Sequence, residues 1–395
     1  MYRILTLNKI SNKGLELFPI GEYEVASEIQ HPEGILVRSA DLHSMEIPKT
    51  LRAIARAGAG TNNIPVDKCT DNGVIVFNTP GANANSVKEL VIAGMFLASR
   101  NVYQGINWVR NNIDKGDELP RLVEKQKSQF KGPTLRGKRL GVIGLGAIGV
   151  MVANDALALG MDVTGFDPFI SVESAWGLAR EVKRAPGLDS LLATCDYISI
   201  HVPLNDKTRG MIDSERLAIM KHGARILNFA RGGLVNNKDL IQALDKGKID
   251  GYVTDFPDLE LAKHEKVIPL PHLGASTPEA EDNCAIMAVQ QLKDFLEHGN
   301  IRNSVNFPTC TMEPSTNKRI VIANKNIPNM VGQITTILAN RKINIAELIN
   351  KHKNDVAYNI IDIEGDVQDD VIQEIRKIKG IVMARLIHNG ALSEE

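Results

Sequence analysis

The chain has 395 residues, 43% of them hydrophobic, with 46 Lys and Arg against 47 Asp and Glu for a formal charge of −1. At roughly 150 residues per domain this length predicts two to three domains, and the apolar share excludes a mainly disordered chain. The balanced charge leaves no basic excess for a run of phosphates, so a nucleic-acid partner is not expected.

The opening MYRILTLNKI is too short in apolar residues for a secretory signal and reads as a first strand, so a soluble, unprocessed, cytoplasmic chain is expected. Strand candidates follow at 3–7 (RILTL), 34–39 (GILVRS), 52–58 (RAIARAG) and 73–80 (GVIVFNTP). A helical stretch is predicted from Asn85 to about Asn112. It contains the longest apolar run, Leu90 to Ala98, which is well short of the roughly 18 to 20 residues that span a bilayer. Residues 115–139 hold eight basic and three acidic side chains and read as a crossing between domains, from which Lys125, Lys127 or Lys131 could reach an anion.

A second series of near-continuous apolar strands is predicted at 139–146, 161–167, 197–203, 224–231, 251–257 and 266–272, the pattern of parallel strands buried on both faces. Thr277 to His298 carries helical periodicity. The segment NSVNFPTCTMEPSTN (303–317) has no periodicity and reads as a linker. From Lys318 the order is βαββαβ, a ferredoxin-like unit. The expected fold is therefore α/β. It comprises two doubly wound parallel-sheet domains, a substrate domain (1–100 with 285–310) and a Rossmann domain (101–284), followed by a ferredoxin-like domain at 318–395.

The motif VIGLGAIG (142–149) sets GxGxxG between a strand and a helix. Gly144 suits the tight turn, Gly146 the approach of a pyrophosphate, and Gly149 close helix packing, with the helix N-terminus offering free N–H groups. Asp167 ends the next strand 18 residues after the last glycine, near the spacing of the acid that holds ribose hydroxyls. A carboxylate there repels a 2′-phosphate, and no Arg follows immediately, so NAD is the expected cofactor. Strand ends at His201, Arg231 and Asp255 point toward the same crevice. Arg231, Glu260 and His272 are the candidates for a cation and a base. Cys69, Cys195, Cys284 and Cys310 have no metal-ligand spacing, which suits free thiols, a reducing compartment and no metal.

Taken in order, VIGLGAIG with Asp167, NFARGGLV and PHLGAST resemble the D-isomer-specific 2-hydroxyacid dehydrogenases across residues 1–310. LVRSA, ARAGAGTNNIPVD and the terminal βαββαβ unit are similar to the branch of that family acting on 3-phosphoglycerate, and NIPNMVGQITTIL with INIAEL resembles an ACT domain. The resemblance implies oxidation of 3-phospho-D-glycerate, the first step of the phosphorylated route to serine. His272 would take the hydroxyl proton, Glu260 would assist it, and Arg231 would hold the carboxylate. It also implies cofactor contacts at Ala147, Ile148, Phe229, Ala230, Arg231, Asp255, His272, Leu273, Gly274 and Ala275, and substrate contacts at Arg38 and Arg56. Ala59 stands where many relatives carry Thr. In the ACT-like unit Asn324, Asn326 and Asn344 match positions that bind L-serine in serine-sensitive relatives, one of them replacing a His, and Asn329 occupies a loop position that favours φ > 0. A homodimer or homotetramer is expected. Two other readings stay open: a phosphate-free reductase of glyoxylate, hydroxypyruvate or 2-oxoglutarate, and a non-enzymatic NADH-sensing binder of the corepressor type.

Overall fold

Aliphatic and β-branched runs near the N-terminus become five parallel strands: β1 (Tyr2–Leu7), β2 (Tyr23–Ala26), β3 (Gly34–Val37), β4 (Ala53–Arg56) and β5 (Ile75–Phe77), in the order β2-β1-β3-β4-β5. The computed structural model describes residues 1–365, 367 and 369–388, so the last seven residues of the expected third domain, with 366 and 368, lie outside the described residues. All four residues of β3 are buried. Leu36, Ala53, Ala55 and Phe77 pack on one face against Ala288, Leu292 and Phe295 of the helix Pro278–His298, and Ile35, Val37 and Ile54 pack on the other against Ile64 and Cys69. β2 was not apparent in the sequence because its four residues, YEVA, mix one buried and two exposed positions at a sheet edge.

Residues 83–280 form a second compact unit, the first being 1–82 with 281 onward. Its seven parallel strands are β6 (Arg139–Ile143), β7 (Asp162–Phe166), β8 (Lys183–Arg184), β9 (Tyr197–Ile200), β10 (Ala224–Asn228), β11 (Ile249–Thr254) and β12 (Val267–Pro269), in the order β12-β11-β10-β9-β6-β7-β8. The direction of winding reverses between β6 and β9, which places a ligand crevice at their carboxyl ends. The division falls at 82/83 instead of near residue 100. The helix Ala84–Arg100 puts Val87, Val91 and Met95 into one core with Leu140, Val142, Phe229 and Val253. The single helix expected to Asn112 is two, Ala84–Arg100 and Val102–Arg110, broken at Asn101, whose φ of 50° an Asn tolerates. The basic crossing has short helical turns of its own. It holds a 3-10 turn at Ile113–Glu118, a helix at Leu119–Gln126 and another 3-10 turn at Lys127–Phe130.

The C-terminal sheet is antiparallel, with β13 (Lys318–Lys325), β14 (Asn344–Lys353), β15 (Val356–Glu364) and β16 (Ile381–His388) in the order β14-β15-β13-β16. Alternation sends Ile320, Ile322, Ile361 and Ile363 toward the helices Met330–Asn340 and Asp369–Arg376. Asn329 has φ 66°. The opposite face is not solvated: Val321, Ala323, Tyr358, Ile360 and Ile387 share a core with Phe295, Leu296 and Phe307. The segment expected as a linker is part of this core, with Phe307, Cys310 and Met312 buried and Ile301 bridged to Cys310. Its apolar residues follow no regular period because the chain there is irregular.

Two arginines secure the junction. Arg319, fully buried, pairs with Asp362 (2.6 and 3.0 Å) and donates to the carbonyls of His298 and Met312 at 2.9 Å. Arg385 donates to the carbonyls of Phe295 and Leu296 and lies 4.6 Å over the Phe295 ring, while burial pushes its pKa down to about 10. Together with Tyr358, whose hydroxyl donates to Gly299 O, they satisfy the carbonyls at the negative end of the helix Pro278–His298. The four cysteines are buried free thiols. Among the described residues no helix is long and apolar enough to cross a membrane, and no group of His, Cys, Asp or Glu could hold a metal.

Candidate active site

The glycine motif turns the chain out of β6. Gly144 has φ 89°, and a Cβ there would sit 2.6 Å from His201 O, so only glycine fits. A Cβ on Gly149 would lie 2.0 Å from Gly144 O, whereas a Cβ on Gly146 would meet nothing within 4 Å. The space beside Gly146, at the start of the helix Ala147–Ala158, is therefore open where first-turn N–H groups have no helical acceptor. Gly146 and Ala147 are exposed and Ile148 partly so. Asp167 directly follows β7; its Oδ2 accepts from Leu145 N and its Oδ1 from Phe169 N, each at 2.8 Å. A carboxylate has about four acceptor positions, so this one can tie down the glycine loop and still take two hydroxyls. These features fit a dinucleotide: an open helix N-terminus for the pyrophosphate and a fixed acid for the ribose. His201 follows β9 and shares a 2.8 Å hydrogen bond with Ser199; burial pushes its pKa down to about 4, which keeps the ring neutral near neutral pH.

The candidate catalytic side chains follow β10, β11 and β12. Arg231 lies three residues beyond β10, in a loop shaped by the buried Asn228, whose side chain donates to Arg231 O (2.9 Å) and accepts from Ala230 N (3.2 Å). Phe229 is buried and Ala230 half-buried. His272 likewise stands beyond its strand, which ends at Pro269, and has φ 55°. Asp255, 1% exposed, fixes that turn by accepting from Leu273 N and Gly274 N, each at 2.8 Å. Asp255, one of the expected cofactor contacts, has both oxygens engaged with this backbone. Leu273 is exposed, Gly274 buried and Ala275 half-buried.

Phe256 joins the pair. Its ring centroid is 4.6 Å from that of His272 and 6.0 Å from the Arg231 guanidinium carbon, so one aromatic ring lies beside both candidate groups. Neither Phe256 nor Asn228 stands out in the sequence, although Asn228 opens NFAR (228–231) and Phe256 lies in DFPD (255–258). Glu260 lies in the first turn of the helix Leu259–Lys263 and, 67% exposed, pairs with Lys263 at 2.9 Å; the expected bond to His272 is not formed. Asp258 is that helix's N-cap, accepting from Leu261 N at 2.8 Å.

In the first unit Arg38 follows β3 and Arg56 ends β4. Val37 and Arg56 are register partners, and Arg56 Nε donates to Arg38 O at 3.0 Å. Ala59 O accepts from Asn78 Nδ2 at 2.6 Å. Lys125, Lys127 and Lys131 are exposed, and Lys127 pairs with Glu124. The three asparagines of the C-terminal unit do not converge. Asn324, 1% exposed, is bonded to Lys325 O and Asn359. Asn326 donates to Asn354 O, and Asn344 to Glu364. Asn324 faces Ala357 in the register and Asn344 faces Glu364, which puts them roughly 20 Å apart along β15.

A family model described as D-isomer specific 2-hydroxyacid dehydrogenase, NAD binding domain, matches residues 92–274. The chain is 34% identical over 368 residues to D-3-phosphoglycerate dehydrogenase of Methanocaldococcus jannaschii, covering 88% of this chain and 67% of that one. It is 30% identical over 356 residues to the protein of the same name from Haemophilus influenzae, covering 87% and 83%. Against several further relatives of that name it spans 54% to 60% of their length. A crystal structure of NAD+-bound 3-phosphoglycerate dehydrogenase from Entamoeba histolytica superposes with a TM-score of 0.62 at 25% identity, covering 77% of this chain and 98% of that one. The chain belongs to the D-isomer-specific 2-hydroxyacid dehydrogenase family.

Proposed function

We propose that the protein oxidises 3-phospho-D-glycerate to 3-phosphohydroxypyruvate with NAD, opening the phosphorylated route to L-serine. The observation that carries this reading is the extent of the likeness to D-3-phosphoglycerate dehydrogenase, 34% identity over 88% of this chain, with Arg231 and His272 set about one aromatic ring. NAD, when bound, supplies the hydride acceptor. Gly144, Gly146, Ala147, Ile148 and Gly149 would hold its pyrophosphate, and Asp167 its ribose.

His272 takes the proton of the substrate's hydroxyl and returns it in the reverse direction. Arg231 takes the α-carboxylate through the paired N–H groups of its planar fork. Phe256 limits the swing of both side chains and keeps water from one flank of each. Glu260 can serve His272 only by leaving Lys263, an exchange that costs little for so exposed an ion pair. Arg38 and Arg56 take the phosphate, with one of Lys125, Lys127 and Lys131 as a further cation. The buried free thiols suit a reducing cytoplasm.

The C-terminal unit has the strand order of an ACT domain. Serine regulation through Asn324, Asn326 and Asn344 would require a second copy of the chain to bring the separated ends together, which ties it to a homodimer or homotetramer. Glyoxylate, hydroxypyruvate or 2-oxoglutarate could use the same Arg231 and His272, so the phosphate-binding arginines separate the readings. The test is kcat/KM for NADH formation from 3-phospho-D-glycerate, D-glycerate and D-lactate, repeated with Arg56→Ala. A strong preference for the phosphorylated acid that Arg56→Ala reduces supports the reading; equal kcat/KM values refute it.

A further inference from the structure

Arg38, expected to meet an anion, is already paired in this structure: its Nη1 lies 2.8 Å from Glu281 Oε1, with the two side chains 39% and 45% exposed. Glu281 stands in the first turn of the helix Pro278–His298. With Lys9, Ser11, Arg38 and the chain at Ala57 it lines a narrow cleft, closed down to about 10 Å³ while Glu281 holds Arg38. Arg56 is anchored beside it through Arg38 O. Arg38, Arg56 and Glu281 all act electrostatically on the thiol of Cys284, the arginines favouring and the glutamate opposing its ionised form, so the three charges share one neighbourhood. Lys9, exposed, has no acidic partner among the described residues. The next acid, Asp282, is occupied differently, accepting from Ser11 Oγ at 2.5 Å and pairing with Lys13 at 2.7 Å.

We infer that Glu281 is a specificity-determining residue of the anion subsite: its carboxylate pairs with Arg38 and competes with an incoming phosphate for the same guanidinium. The inference rests on the proposed phosphate-bearing substrate. A doubly charged phosphate wins the exchange because it can accept from Arg38, Arg56 and Lys9 together, whereas Glu281 holds Arg38 by a single close contact. A singly charged or neutral group gains too little from the cations to displace a carboxylate already in place. Glu281 thus rejects weak anions at the expense of some affinity for the strong one. Because the pair is half-exposed, its loss does not unseat the strand ends that carry the arginines.

Glu281→Gln keeps the size of the side chain and removes its charge. Inorganic phosphate binding, measured by titration calorimetry on the full chain, tests the competition whatever the natural substrate is. The variant is expected to bind phosphate about threefold to fivefold more tightly, the scale of a partly exposed ion pair. Its KM for 3-phospho-D-glycerate falls by a similar factor, with the change in KM and not in kcat, and its KM for D-glycerate moves less. Asp282→Asn removes the same charge one residue away and is expected to leave phosphate affinity within about twofold, since Lys13 already balances that carboxylate at 2.7 Å. Unchanged or weaker phosphate binding by Glu281→Gln, equal tightening by Asp282→Asn, or no phosphate binding by either protein overturns the inference. A wild-type enzyme that binds phosphate but does not prefer the phosphorylated acid refutes the proposed function instead, and the calorimetric comparison still judges Glu281.

Discussion

The imidazole of His272 lies against the ring of Phe256, with centroids 4.6 Å apart and planes inclined at 52°. The Arg231 guanidinium sits 6.0 Å from the same ring. His272 gains from this because its backbone is in the left-handed region (φ 55°) and the side chain is exposed, so packing and not burial must fix the ring. Phe256→Ala removes the shared wall from both groups. We expect kcat to fall by about tenfold to a hundredfold, as small misplacements of reacting groups do, with NAD affinity within about twofold. Single-turnover rates and the Kd for NAD check this, and Phe256→Tyr should retain most of the activity.

Asp167 ties the glycine loop through Leu145 N and, on the proposed reading, also takes the ribose hydroxyls. Asp167→Ala should weaken NAD by about tenfold or more by removing charge-assisted acceptors, and should narrow the preference for NAD over NADP because the charge that repels a 2′-phosphate is gone. Kd values for both dinucleotides measure it. A variant that loses NAD and NADP equally would show that Asp167 serves only the loop.

The architecture was legible because buried parallel strands are apolar runs and the terminal βαββαβ order repeats their logic. What composition did not carry was where apolar residues are spent. The helix Ala84–Arg100 continues without a break from the first strand series but packs Val91 and Met95 on the second sheet. Phe307, Cys310 and Met312 lie in a stretch of Pro, Ser and Thr that resembles solvent-exposed chain yet fills a core. In the site, Gly144 and Asp167 were legible from spacing alone, because a turn and a strand end fix them. Phe256 was not, since an aromatic residue next to Asp255 reads as ordinary core. Glu260 and Lys263 are three residues apart on one helix, and that local pairing competes with any long-range partner.

Arg319 and Asp362 are buried together with no exposed side-chain area. Asp362→Asn leaves the guanidinium without its counter-charge in the core, which typically costs about 3 to 5 kcal/mol. Chemical denaturation should show that loss in full-length protein. Because β13 and β15 share a core with the helix Pro278–His298, the C-terminal sheet and the first unit are expected to melt together, so a separate early transition for the sheet would contradict this.

His201 titrates near 4 in the folded chain because it is buried, against 6.5 for its ordinary value. The unfolded chain therefore takes up this proton first as pH falls through 6.5, and stability is lost progressively until about pH 4; above 6.5 the residue contributes no pH dependence. The integrated loss is about 3 kcal/mol. Denaturation midpoints at a series of pH values for wild type and His201→Gln check it, the variant losing less between pH 6.5 and 4 than wild type does.

The central claim is that His272 moves the proton in the NAD-dependent oxidation of 3-phospho-D-glycerate. The direct measurement is initial-rate NADH formation from that acid by wild type and by His272→Gln, with NAD binding measured on the same samples. The account predicts turnover by wild type and a fall of at least about a hundredfold in the variant, within the range general-base catalysis supplies, while NAD affinity is unchanged. Turnover by His272→Gln at a rate near wild type, or no NADH from 3-phospho-D-glycerate with the wild-type protein, would contradict it.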